Sequence, residues 1–117
     1  MESQMQASTA GFAVIYRWRL HPGMEDQFIK AWTRISELLL SQQGSLGSRL
    51  HRGPGGIWYS YAQWPSASAR ERAFSAGSLD RDAEELLRAA IAETLPEIDL
   101  EPVVNLMLPT SHTNTAG

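Results

Sequence analysis

The stretch GGIWYSYAQW, Gly55 to Trp64, decides how this chain folds. From Ile57 onward its residues are mostly branched or aromatic, and a two-residue period puts Trp58, Ser60, Ala62 and Trp64 on one face and Tyr59, Tyr61 and Gln63 on the other. The run GPGG, Gly53 to Gly56, is dense turn chemistry ahead of it, and Pro65 ends it. A strand entered through such a turn is half of a hairpin. Its partner is the short strand Ser48 to Arg52, with Leu46 just before it.

Working outward, Phe12 to Leu20 (FAVIYRWRL) reads as a strand that stops at the turn signal His21-Pro22-Gly23. It carries Phe12, Val14, Tyr16, Trp18 and Leu20 on one face and Ala13, Ile15, Arg17 and Arg19 on the other. The apolar positions Met24, Phe28, Ala31, Trp32, Ile35, Leu38 and Leu39 then recur at three- and four-residue spacing, one face of an amphipathic helix that stops at or before Gly44. Ser66 is a helix cap for a short helix through Phe74. Beyond Gly77, the series Ala83, Leu86, Leu87, Ala90 and Ile91 predicts further helix to about Thr94. Pro96 and Pro102 are expected to bound a linker, and Val103 to Leu108 (VVNLML) to form the last strand. Residues 1–11 and 109–117 read as loose tails around one domain spanning residues 12–108.

The order strand, helix, strand, strand, helix, strand predicts an α+β, ferredoxin-like βαββαβ fold with one antiparallel sheet and helices on one side. Both faces of the first and third strands carry large apolar groups, more than a half-solvated sheet needs. Two copies packed sheet to sheet, a homodimer in the form of a dimeric α/β barrel, are therefore expected.

Composition narrows the functions. A chain of 117 residues, 43% apolar, suits a single core, and a net charge of -3 offers no basic field for nucleic acid. Without cysteine there is no disulfide framework, thiolate metal site or cysteine nucleophile. The start MESQMQASTAG lacks the pattern of a signal peptide, and no apolar run reaches membrane-spanning length, so a cytoplasmic protein that binds no membrane is expected. Hydrolase, kinase and dehydrogenase fingerprints are missing, and His21 and His51 have no second ligand at metal spacing.

The run YAQWPS, Tyr61 to Ser66, followed by the short helix ending near Phe74, resembles the antibiotic biosynthesis monooxygenase family, in particular its small cofactor-independent oxygenases. The element order extends the resemblance over Phe12 to Leu108. It implies a dimeric barrel with a pocket between sheet and helices, in which dioxygen oxidises a small aromatic substrate of the phenol, anthrone or quinol type without metal, flavin or haem. The family's pocket tryptophan matches Trp64, and the asparagine four residues before it falls on Ser60. Its helix tyrosine falls on Arg70, and its later arginine on Arg88 if two residues are inserted near Gly77. The haem-degrading branch needs an asparagine, a tryptophan and a histidine; the first two fall on Tyr16 and Phe74, and no histidine lies between His51 and His112. Haem breakdown is not expected.

Such a protein has to hold an electron-rich ring, favour its deprotonated form and exclude water. Trp64, Ser60, Arg70 and Arg88 are the candidate catalytic residues: Trp64 to stack on the ring and offer its indole N–H, Ser60 to hydrogen-bond a ring oxygen, Arg70 or Arg88 to stabilise a phenolate. Tyr16, Trp18, Phe74 and Asn105, with Trp64, are the candidate substrate-binding residues. Trp18, Trp32 and Trp58 are also natural packing residues, and Tyr59 and Tyr61 natural interface residues. Arg17 and Arg19 suit either an anionic substrate or ion pairs at the rim of a subunit interface. A barrel that binds a small molecule without turning it over, or isomerises a lactone, would have the same sequence outline.

Overall fold

A computed structural model describes residues 10–108. Strand β1 (Phe12–Leu20) leads through the His21-Pro22-Gly23 turn into helix α1 (Glu25–Gln42). Strand β2 (Gly47–Arg52), a 3-10 turn (Pro54–Gly56) and strand β3 (Ile57–Trp64) form the hairpin. Gly55 and Gly56 adopt φ of 72° and 75° there, the left-handed region that favours glycine. Helices α2 (Ala67–Ser75) and α3 (Arg81–Ala90) follow, then strand β4 (Ile91–Leu100). Ser66 caps α2 by accepting from the Ala69 amide at 3.0 Å, and Asp80 caps α3 in the same way through Ala83.

The four strands form one sheet in the order β2-β3-β1-β4, each neighbouring pair antiparallel. This is the ferredoxin-like α+β arrangement expected from the sequence. Val14 opposite Ala62, Tyr16 opposite Ser60 and Trp18 opposite Trp58 align the helix-facing residues of the two central strands. Alternate residues of β3 are buried along its whole length, so the period of two read from IWYSYAQW holds.

The last strand is not where the sequence pattern put it. It is Ile91–Leu100, directly after a helix that ends at Ala90 instead of about Thr94, while residues 101–108 have no regular structure. Pro96 lies inside β4, not in a linker. Proline removes one ladder donor, which an edge strand tolerates at an irregularity, and the β1–β4 register shifts between Ile15 and Arg17 at this point. The freed Pro96 carbonyl accepts from the Arg17 guanidinium at 2.8 Å. Val103, Val104, Leu106 and Leu108 are exposed. Residues 1–9 and 109–117, which hold most of the expected tails, lie outside the described residues.

Two apolar clusters fill the space between sheet and helices. One joins Val14, Ala62, Trp64 and Ala73; the other joins Phe28, Trp58 and Ala90, with Trp18, Trp32 and Leu87 packed against it. Trp18, Phe28 and Trp58 meet edge to face at centroid distances of 5.2 and 5.7 Å. No described helix is long and apolar enough to cross a membrane.

Candidate active site

Between the two clusters the core is not filled. The helix-facing residues of β3 run large, small, small, large: Trp58, Ser60, Ala62, Trp64. The two small residues leave a cavity of about 170 Å³ over the middle of the strand. Tyr16 and Trp18 of β1 extend its floor; Trp32, Ile35 and Leu39 of α1 roof it; Phe74 and Leu87 come from α2 and α3. The walls are apolar apart from a few placed polar atoms, the usual build of a small-molecule site.

Those polar atoms fall into three groups. The Trp64 side chain is 1% exposed, and its indole Nε1 is buried without a hydrogen-bond partner among the described residues. The Tyr16 hydroxyl is in the same condition. Ser60, 2% exposed, accepts a hydrogen bond from Trp32 Nε1 at 3.2 Å. Because the indole only donates, the serine proton stays free to donate elsewhere. Burial raises the Tyr16 pKa above its ordinary value; the neighbouring Arg70 opposes this by its charge and by hydrogen bonding, and the Glu97 charge adds to it. The phenol is therefore neutral near pH 7 and acts as a donor.

Arg70, on α2, stands at the β4 side of the cavity. Its guanidinium carbon lies 5.5 Å from the Tyr16 ring and 5.2 Å from the Phe74 ring, and it is ion-paired with Glu97 at 2.6 Å and within 4.0 Å of Asp99. Its Nε is buried without a partner among the described residues. Although burial disfavours its charge, the Tyr16 and Glu97 groups outweigh that, so the guanidinium pKa is raised.

The structure thus brings Trp64, Ser60, Tyr16, Trp18 and Phe74 to one cavity, with Arg70 beside it. It does not bring Arg88 or Asn105 there. The Arg88 side chain is 68% exposed on α3, where it pairs with Glu84 one turn back; it lines a separate outer cleft of about 370 Å³. Asn105 is exposed beyond β4, and its Oδ1 accepts from the Met107 amide. Its expected place in the pocket depended on a strand at 103–108, which does not form. Arg19 pairs with Glu93 at 3.3 Å within the chain.

The sequence favours a packing role for Trp32, yet its N–H sets the Ser60 hydroxyl. Its position on the apolar face of α1 gave no sign of this, because helix-to-sheet register is not written in the helix period. Phe74, 50% exposed, packs edge to face on Trp64 at 6.0 Å and, with Ile35, Leu39 and Leu87, lines both the inner cavity and the outer cleft. Among the described residues, no group of three His, Asp or Glu side chains is placed to hold a metal ion.

A ferredoxin-like sheet with an aromatic, donor-bearing cavity beneath its helices defines a small α+β domain. Residues 11–80 match the antibiotic biosynthesis monooxygenase family, and the chain belongs to that family. Among solved structures, one assigned to the antibiotic biosynthesis monooxygenases of Chloroflexus aurantiacus is 22% identical, covers 80% of this chain and 94% of its own, and has a TM-score of 0.66. SnoaB, a cofactor-independent oxygenase from Streptomyces nogalater, is 18% identical over 84% of this chain and 98% of its own, with a TM-score of 0.68. A Bordetella bronchiseptica relative is 17% identical over 82% and 100%, with a TM-score of 0.69. At these identities the likeness is one of fold. No curated protein matches the sequence significantly.

Proposed function

We propose that this protein is a cofactor-independent monooxygenase that uses dioxygen to oxidise an electron-rich phenol, anthrone or quinol in the cavity over Ser60 and Ala62. The observation that carries the reading is the buried, unpartnered Trp64 indole N–H in an aromatic wall of a chain from this family. Family membership supports a monooxygenase-like role, and the Tyr61-Ala62-Gln63-Trp64 run resembles that of the actinorhodin-pathway oxygenase. In an anthrone, the reacting methylene carbon loses two hydrogens and gains one oxygen atom as a carbonyl. The second oxygen atom leaves as water with those hydrogens, so the substrate carbon supplies all four electrons.

Each residue has a part in this chemistry. Trp64 donates its in-plane indole N–H to the ring oxygen; Ser60, which accepts from Trp32, directs its proton at the substrate. Arg70 favours the deprotonated ring. Trp18 and Phe74 exclude water, which strengthens every donor inside. The inner cavity is smaller than the roughly 300 Å³ at which drug-sized sites begin. It holds the reacting ring, and a larger substrate extends past Phe74 into the outer cleft, where Arg88 lies.

The working unit is a homodimer in this reading. On the sheet face away from the helices, Ile15, Tyr59, Tyr61, Ile98 and Leu100 lie in register across β1, β3 and β4, and Ile98 and Leu100 are exposed. A second copy on that face would cover them. Sedimentation of a monomer at micromolar concentration would overturn this.

The deciding experiment is oxygen uptake by metal-free protein over a panel of anthrones and dihydroxynaphthalenes, with Trp64→Phe alongside. Uptake that needs the protein and falls in the variant supports the oxygenase; no uptake above background refutes it. A non-catalytic binding barrel is the second reading. It is favoured by the engagement of Ser60 with Trp32 and of Arg70 with Glu97, where the family has an asparagine and a tyrosine. Quenching of tryptophan fluorescence by substrate analogues, without oxygen uptake, is its signature.

A further inference from the structure

Trp64 is not the only residue at the cavity whose buried donor lacks a partner among the described residues. Tyr16 sits directly across from Ser60 in the β1–β3 register, lines the same cavity, and has a buried hydroxyl beside the Arg70 guanidinium, which can only donate, so the Tyr16 proton meets no acceptor among the described residues. Burying such a group without a bond is unfavourable, and a ligand oxygen in the cavity would supply the acceptor. Behind the Tyr16 ring stands Arg70, fixed at 2.6 Å by Glu97. Strand alternation makes this possible: Ile98 pairs with Ile15 on the face away from the helices, so Glu97 and Asp99 on either side of it face the helix side, where they meet Arg70.

We propose that Tyr16 is a second catalytic donor, its O–H bonding the substrate oxygen on which negative charge develops, and that Arg70, anchored by Glu97, is the residue that positions it. This rests on reading the cavity as the oxygenase site. The family's tyrosine on the helix has no counterpart here, since Arg70 takes its place; the phenol comes instead from β1, on the opposite wall. No proton is transferred in this role. The hydrogen stays on the Tyr16 oxygen, and its bond to the substrate strengthens as the neutral ring becomes a phenolate. The partner of this donor is a phenolic oxygen carried on a ring small enough for the inner cavity.

The probe is 4-nitrophenol, a one-ring phenol that does not react with dioxygen and shows by its colour whether it is bound as phenolate. Wild type should bind the phenolate and lower the pKa of the bound phenol. Tyr16→Phe should weaken phenolate binding roughly tenfold while leaving 4-nitroanisole, which has no ionisable oxygen, bound as before. Arg70→Gln should produce a similar loss, and Arg70→Lys should restore part of it. In turnover, Tyr16→Phe should lower kcat roughly 100-fold with KM changed less than about threefold. Equal phenolate affinity in wild type and a folded Tyr16→Phe overturns the proposal, as does a wild type that does not bind the phenolate. The two readings fail separately. Oxygen uptake that stops in Trp64→Phe while nitrophenolate binding ignores Tyr16→Phe removes the donor and keeps the oxygenase. Nitrophenolate binding that falls in Tyr16→Phe, in a wild type that consumes no oxygen, keeps the donor and removes the oxygenase.

Discussion

Replacing Trp64 with phenylalanine separates a functional tryptophan from a packing one. At 1% exposure the indole is fully committed to the core, between Val14, Ala62 and Ala73. Phenylalanine has two fewer ring carbons, besides the nitrogen, a loss of roughly 1.6 kcal/mol at about 0.8 kcal/mol for each buried carbon. The same change removes an N–H that is buried without a partner, which returns about 1–3 kcal/mol of desolvation cost. The edge-to-face contact with Phe74 at 6.0 Å can persist with a benzyl ring. The two main effects nearly cancel, so Trp64→Phe should unfold in urea within about 1 kcal/mol of wild type. Ligand binding and oxygen uptake should nevertheless fall. Denaturation has to be compared at one protein concentration, because dimerisation would make the midpoint depend on it. Trp18 and Trp32 also line the cavity, so fluorescence quenching still reports binding in the variant. A loss above about 3 kcal/mol with quenching unchanged would refute the reasoning, since it would mean that the indole N–H is bonded and the residue is structural.

Three further outcomes follow from the same geometry. Ala62→Leu directs extra carbons into the cavity and should abolish quenching by substrate analogues while keeping stability within about 1.5 kcal/mol; undiminished binding would place the ligand elsewhere. Trp32→Phe deletes the bond to the buried Ser60 hydroxyl and should cost about 1–3 kcal/mol in urea titration, and a double-mutant cycle with Ser60→Ala should show that the two effects are not additive. The raised Tyr16 pKa means that the native state holds this proton longer than the unfolded chain. Its contribution is complete below the ordinary value of 10.0 and is lost as pH rises from there through the folded pKa, so stability should decline less steeply in that window for Tyr16→Phe.

The identity of β4 shows where sequence reading stops. Ile91 continues the three- and four-residue spacing of α3, and Pro96 looks like a breaker, so the local pattern favours helix and linker. Pairing with β1 overrides it: antiparallel bonds to Leu20, Arg19 and Trp18 capture Ile91, Glu93 and Thr94, and an edge strand with a register shift accommodates the proline. Residues 103–108 have strand-forming side chains but no strand beside them in this chain. With the strand gone from there, Asn105 could not reach the pocket.

By itself, the sequence determined the elements whose period is uninterrupted: β1, α1, the β2–β3 hairpin and the capped α2, and through them the fold class. It also determined the helix-facing set Trp58, Ser60, Ala62 and Trp64, because alternation along a strand needs no partner to be read. Only the tertiary structure decided that the two small members of that set leave a cavity, that Trp32 bonds Ser60 across it, and that Tyr16 and Arg70 meet at its edge. The same holds for Arg88, which it turned outward. The reason is physical: a period fixes which face a residue occupies, whereas the atom it touches depends on the register between elements far apart in the chain.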